Sequence, residues 1–330
     1  MRRTLTALGE VFPLATPFRI SRGVKTAAEV VTVTLAENGA IGRGECVPYP
    51  RYGESVDTSI AEIEAVREAL EKGVSRRGLL EILPAGAARN AVDCALWDLE
   101  LKLAGSDIAT ELSLPRPLRP IATAMTVGLD TPDAMGLAAA ALAHVPLIKV
   151  KVDRNDPAAQ LRAVRAAAPA PRLIVDPNES WTIAEVSDLQ GLMIDLRVDL
   201  LEQPLPAHED GALDGFRSAI AIAADESVHV AADLDGLPDG YRVVNIKLDK
   251  AGGLTAALHL ADAARVRGLD VMTGCMICSS LSIAPAWAIA AGSAFVDLDG
   301  PLWLSADRDG GVTGNRGYLL PPQPGFWGGL

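Results

Sequence analysis

Short apolar runs recur along the later two-thirds of the chain, and most of them end on a charged residue. They lie at 121–127, 147–151, 173–176, 200–202, 221–225, 243–247, 270–274 and 295–297. Alanine- and leucine-rich stretches of helical length separate them. Runs this short and this apolar predict buried strands, and helix-length spacers between them predict parallel strands joined by crossover helices. Eight such strands fit a closed β/α barrel better than an open sheet.

The pattern before residue 115 is different. Val30-Val31-Thr32-Val33-Thr34-Leu35 reads as a strand, and Glu37-Asn38-Gly39 before Ile41 predicts a hairpin. Gly39, Gly42 and Gly44 are read as turn glycines of that hairpin, since their order is not a dinucleotide fingerprint and no helix start follows. Ile60, Ile63, Val66 and Leu70 predict one helix over 55–72, with Gly73 as its stop. Val92, Ala95, Leu96, Leu99 and Leu103 predict a second, ended by Gly105. Strands followed by helices describe a small α+β unit, and the proline-dense stretch Leu114-Pro115-Arg116-Pro117-Leu118-Arg119-Pro120 closes it. The expected division is an α+β domain over 1–115 and a barrel over 116–299.

Composition excludes some functions. The 330 residues carry 30 Lys and Arg against 42 Asp and Glu, a net charge of −12. That disfavours nucleic acid and anionic membrane as partners, because both need basic patches. No apolar stretch reaches the roughly 20 residues of a membrane span, and the residues after Arg2 and Arg3 are too polar for a signal peptide. A cytoplasmic location is expected. The four cysteines agree with it; Cys275 and Cys278 form a lone Cys-x-x-Cys, read as packed thiols.

The residues that close the strands carry the chemistry. Lys149 and Lys151 end the second run, Asp176 the third, Glu202 the fourth, Asp225 the fifth, Lys247 the sixth and Asp297 the eighth, with Asp299 just beyond. From Lys151 to Lys247 the steps are 25, 26, 23 and 22 residues. One β/α unit per step puts all of them at the C-terminal mouth of the barrel, where barrel active sites lie. Three carboxylates from successive strands, without histidine or cysteine, suit Mg²⁺. Lysines flank the acids on both sides. Near a cation and other lysines, a lysine's ammonium form is expected to be destabilised, so that it can act as a base. One lysine on each face of a carbanion permits a 1,1-proton transfer that inverts a stereocentre.

These residues identify the chain as similar to a known family. Lys149-Val-Lys151, Asp176-Pro-Asn178, Glu202-Gln-Pro204, Asp225-Glu226-Ser227 and Lys247-Leu-Asp249-Lys250-Ala-Gly252-Gly253 resemble the enolase superfamily, muconate-lactonizing-enzyme subgroup, over essentially the whole chain. The resemblance implies a (β/α)7β TIM-like barrel under an N-terminal α+β capping domain, which the tail 300–330 completes. It implies Asp176, Glu202 and Asp225 as Mg²⁺ ligands, Lys151 and Lys247 as the acid/base pair, and Lys149 as electrostatic support. Pro50-Arg51-Tyr52-Gly53-Glu54-Ser55, Gly274-Cys275-Met276-Ile277-Cys278 and Asp297-Leu-Asp299-Gly300-Pro301-Leu-Trp303 resemble dipeptide epimerases within that subgroup. The implied substrate is then a small dipeptide, L-Ala-D-Glu, epimerised to L-Ala-L-Glu in murein peptide recycling. Asp297 and Asp299 would hold its ammonium group, Arg22 its side-chain carboxylate, and Thr126 would line the pocket; a surface arginine is the competing reading of Arg22. The rivals are o-succinylbenzoate synthase, muconate cycloisomerase or N-succinylamino acid racemase on the same scaffold, a dipeptide epimerase of other specificity, and a catalytically silent barrel.

Overall fold

In the computed structural model, which describes residues 3–21 and 23–328, alternation along three strands builds the cap. Strands β1 (Thr4–Ile20), β2 (Gly23–Glu37) and β3 (Ala40–Cys46) form an antiparallel sheet in that order. Val31, Val33 and Leu35 of β2 bury one face of it. Asn38 and Gly39 take φ of 49° and 84°, the left-handed pair that a two-residue hairpin turn requires. Gly42 and Gly44, however, are not turn glycines. They lie within β3 against the helix Ala87–Ala104, where an added Cβ would stand 2.3 Å from the Ala95 carbonyl oxygen and 2.1 Å from that of Ala91. They permit a helix to lie on a strand at backbone distance.

The helix expected over 55–72 is two helices, Val56–Ala65 and Arg67–Glu71, because the chain leaves helical angles at Val66 (φ −103°, ψ 7°). Ile63 before the break and Leu70 after it both stay buried. The second expected helix runs from Ala87 to Ala104, and Gly105 caps it in the left-handed conformation.

The run at 121–127 divides. Strand β4 (Ile121–Ala122) leaves the barrel and pairs with the tail hairpin, while β5 (Met125–Val127) opens the barrel sheet. The barrel continues with β6 (Leu147–Lys151), β7 (Arg172–Asp176), β8 (Leu200–Glu202), β9 (Ala221–Ala224), β10 (Val243–Ile246), β11 (Asp270–Gly274) and β12 (Phe295–Asp297). All neighbours in this series pair in parallel. Between β12 and β5 the ring closes through the Ala124 amide to the Val296 carbonyl (2.8 Å) and the Leu298 amide to the Thr123 hydroxyl (2.8 Å).

Two crossovers lack the expected helix. Between β8 and β9 there is one 3₁₀ turn, Asp210–Leu213, and between β9 and β10 another, Ala231–Asp235. Pro204, Pro206, Gly211 and Gly215 interrupt the first of these stretches. The tail forms β13 (Thr313–Asn315) and β14 (Tyr318–Leu320), then reaches the cap. There the Trp327 indole donates to the carbonyls of Arg43 (3.0 Å) and Cys94 (3.2 Å). Among the described residues, no helix is long and apolar enough to cross a membrane.

The barrel interior is filled by Ala124, Leu147, Ile174, Leu200, Ala223, Val243, Met272 and Phe295, all buried in one cluster. Each belongs to a barrel strand or its approach. The residues between them in sequence, such as Ile148, Val150, Val175 and Val244, face the outer helices instead.

Candidate active site

Two residues beyond each of those apolar positions, the same face presents Thr126, Lys149, Asp176, Glu202, Asp225, Asn245, Gly274 and Asp297. Two further on stand Lys151 and Lys247, and at the same spacing past the strand ends lie Asn178, Met276 and Asp299. Strand parity therefore carries the barrel interior from an apolar floor to a charged mouth. Lys149, Lys151, Lys247, Asp297, Asp299, Asn178 and Thr126 line one pocket. In the sheet, β6 and β10 are separated by half of the eight strands, so Lys151 and Lys247 face each other across it.

The carboxylates and ammonium groups interlock. Lys149 Nζ lies 2.7 Å from Glu202, 2.8 Å from Asp297 and 3.1 Å from Asp176. Lys151 donates to Asp176, and Lys247 donates to Asp225 at 2.6 Å. Burial alone would push the Lys149 ammonium down in pKa, but Asp297, Glu202 and Asp176 together hold it well above its ordinary value. It is a fixed cation. For Lys247, burial and Lys149 act downward, yet Asp225 outweighs them and the net shift is upward. The neighbouring lysine does act downward, and the closer carboxylate outweighs it.

The acids are distributed unequally. Burial raises Glu202 to about 7, partly offset by Lys149. Burial acts upward on Asp176 and Asp225 too, but two lysines beside Asp176, and Lys247 and Lys250 beside Asp225, hold both below the usual carboxylate range. Asp299 rises to about 6 through burial and the charge of Asp297. Strand β12 ends at Asp297, so Asp299 is not placed by strand parity. It is held at the pocket by the Thr126 amide (2.9 Å) and the Trp303 indole (3.2 Å), both on Oδ2. Thr126 lines the pocket as expected, and its backbone also orients Asp299. Arg22 lies outside the described residues.

A divalent cation fits this donor set. Asp176, Glu202 and Asp225 offer only oxygen, as Mg²⁺ prefers. Glu202 Oε2 and Asp225 Oδ1 are buried and accept no hydrogen bond, with only an ammonium nitrogen at ion-pair distance, 2.7 and 2.8 Å. Among the described residues, no three His, Cys, Asp or Glu stand in finished metal-binding geometry. The lysines occupy the space between the acids.

Sequence reasoning missed several supports. Asn245 donates to Glu202 (2.9 Å); it carries no charge to mark it in the sequence, although it sits two residues before Lys247. Buried Lys250 reaches Asp225 Oδ1 (2.8 Å) and the carbonyls of Val228 (2.9 Å) and Asn245 (3.0 Å), tying the ends of β9 and β10 together. The Gln203 side chain accepts from the Asp225 amide (2.8 Å). Cap residues Arg89 and Asp93 hold the turn after Lys247: Arg89 donates to the carbonyls of Gly252 (3.0 Å) and Ala251 (2.8 Å), and Asp93 accepts from the Thr255 amide (2.9 Å). Gly252 and Gly253 have φ of 75° and 109°, and a Cβ on either would collide with those two side chains. Phe18, Ile20, Lys25, Tyr49 and Tyr52 bring the cap into the pocket wall. All four cysteines are free thiols; three are buried and half-buried Cys275 lines the pocket.

Residues 2–112 match the mandelate racemase/muconate lactonizing enzyme N-terminal domain, and residues 134–326 match the enolase C-terminal domain-like family. The chain is 46% identical to L-Ala-D/L-Glu epimerase of Escherichia coli (strain K12), over 96% of this chain and 99% of that one. It is 43% identical to N-acetyl-D-glutamate racemase of a Pseudoalteromonas species, over 91% and 95%. A crystal structure of an enolase family member from Agrobacterium tumefaciens with homology to dipeptide epimerases, holding sodium and L-Ala-L-Glu, superimposes with a TM-score of 0.95. That match has 47% identity and covers 99% of this chain and 100% of that one. The dipeptide epimerase of Cytophaga hutchinsonii, complexed with Mg and D-Ala-L-Val, gives 0.91 at 28% identity, covering 100% and 95%.

Proposed function

The chain belongs to the mandelate racemase/muconate lactonizing enzyme family of the enolase superfamily and is by homology an isomerase, a dipeptide epimerase; from that premise we propose that it interconverts L-Ala-D-Glu and L-Ala-L-Glu, as in murein peptide recycling. One observation carries the reading. Two lysines half a barrel apart open on a single pocket that also holds the buried pair Asp297 and Asp299.

In this reading the substrate's ammonium group rests on Asp297 and Asp299, both more than nine-tenths buried. Two carboxylates at one point favour a cation there. The glutamate α-carbon then lies between Lys151 and Lys247. In one direction Lys151, as the amine, takes the α-proton while Lys247, as the ammonium, returns one to the opposite face. In the other direction the two exchange roles. Lys149 shares Asp176 with Lys151 and keeps a permanent positive charge beside it. Asp176, Glu202 and Asp225 are the residues that would hold magnesium. The bound ion would supply positive charge beside the substrate carboxylate, where negative charge gathers as the proton leaves.

The similarity to an N-acetyl-D-glutamate racemase favours a second reading, racemisation of an N-acylated glutamate. Such a substrate has no ammonium group to offset the two aspartates. Comparing L-Ala-L-Glu with N-acetyl-L-glutamate separates the two. The dipeptide is expected to have the higher kcat/KM by a factor on the order of 10². Asp299→Asn should erase most of that preference by lowering only the dipeptide value. Equal or better turnover of N-acetyl-L-glutamate by the wild type contradicts the dipeptide reading.

A further inference from the structure

Beside Asp299 lies a second, open cavity, and it shares Thr126, Asp299 and Trp303 with the pocket. Its other walls are Ala15, Thr16, Met125, Leu142 and Leu302. Its free volume is about 210 Å³, and it opens to solvent along exposed Ala15 and Thr16. The cavity follows from a break in the cap sheet: the β1–β2 register shifts between Pro13 and Phe18, and Ala15 and Thr16 leave the ladder there. The turn that carries Trp303 is anchored to the same stretch. Leu304 bridges to Leu14, and the Ser305 amide donates to the Pro13 carbonyl (2.9 Å).

Trp303 separates the two spaces. Its ring meets Phe18 edge-to-face with centroids 4.7 Å apart, and its indole N–H donates to Asp299. The side chain of an N-terminal amino acid hangs from the carbon that bears the ammonium group. With that group on Asp297 and Asp299, the side chain must lie beside the residues that hold Asp299, and the bulkiest of these is Trp303.

We propose that Trp303 is a specificity-determining residue: its indole closes the subsite for the N-terminal side chain near the size of alanine and shuts off the open cavity beyond it. The proposal rests on the dipeptide reading above. The test compares kcat/KM for L-Ala-L-Glu and L-Leu-L-Glu in the wild type, Trp303→Ala, Trp303→Phe and Ala15→Phe, and in Trp303→Ala combined with Ala15→Phe. The wild type should prefer alanine. Trp303→Ala should shift the ratio toward leucine by a factor of at least about 10. Trp303→Phe removes the hydrogen bond to Asp299 but keeps the bulk, so both substrates should fall together. Ala15→Phe alone should leave L-Ala-L-Glu turnover unchanged, and in the Trp303→Ala background it should refill the cavity and restore the alanine preference. Where a thermal melt shows Trp303→Ala unfolded, Trp303→Leu serves the same comparison. A Trp303→Ala enzyme that loses both substrates equally, or a wild type that takes leucine as readily as alanine, overturns the proposal while dipeptide epimerisation stands. A wild type that epimerises neither dipeptide overturns the reading beneath it, and the proposal with it.

Discussion

Lys151→Ala and Lys247→Ala are each expected to abolish epimerisation while leaving half of the reaction intact. Each variant keeps one lysine, and that lysine reaches one face of the α-carbon. In D₂O each should therefore still exchange the α-hydrogen of a single epimer, and the two variants should exchange opposite ones. Loss of a positioned acid or base costs on the order of 10² to 10⁴ in rate. Epimerisation needs both lysines, so the loss for the full reaction lies at or beyond the upper end. Folding should survive in both variants. Lys247 leaves Asp225 with Lys250, and Lys151 leaves Asp176 with Lys149. Proton NMR of the glutamate α-position, run on each epimer separately, reads the result. A variant that still interconverts the epimers near the wild-type rate rules out the two-base mechanism.

Glu202→Gln carries the second large effect. Glu202 is fully buried at the centre of the charged layer, between Lys149 and Asn245. Glutamine preserves its shape and its contact with Asn245 but removes the charge. Titration calorimetry with Mg²⁺ should show binding in the wild type and little or none in the variant. Epimerase activity should fall by a factor on the order of 10² to 10³ or more, as when a group that stabilises developing charge is lost. Treatment of the wild type with a chelator should reproduce that loss, and added Mg²⁺ should reverse it. Unchanged Mg²⁺ affinity in Glu202→Gln would remove Glu202 from the cation site.

The charged mouth was legible because two simple periodicities coincide. One β/α unit per step placed Lys151, Asp176, Glu202, Asp225 and Lys247 at one end, and the two-residue strand period put Lys149 and Lys151 on one face. The structure brings all of them to the mouth. Strands 147–151, 200–202, 270–274 and 295–297 have the bounds that the apolar runs gave. Asn245 obeys the same parity, but a neutral amide does not stand out from a strand. Lys250 was visible only as part of a motif, since its contacts come from β9 and β10 through three-dimensional closure.

The cap was harder to read. Strand β1 shows little alternation: Leu8 and Val11 are exposed, and Pro13 and Pro17 interrupt it. Its contribution to the pocket, Phe18 and Ile20, depends on a register shift that local sequence does not reveal. Gly42 and Gly44 resemble turn residues because a close strand–helix approach and a turn ask for the same small residue. The missing helices after β8 and β9 failed the spacing argument for a similar reason. A stretch of helical length can cross a barrel wall with one 3₁₀ turn when prolines and glycines break it.

The proposed mechanism turns on proton transfer at one carbon of one substrate class. Its most direct measurement is incubation of L-Ala-D-Glu and L-Ala-L-Glu, separately, with the wild-type protein and Mg²⁺ in D₂O. Either dipeptide should yield the same mixture of both epimers, with deuterium at the glutamate α-carbon and none at the alanine α-carbon. The absence of exchange from both dipeptides, or deuterium at the alanine carbon, would contradict the account.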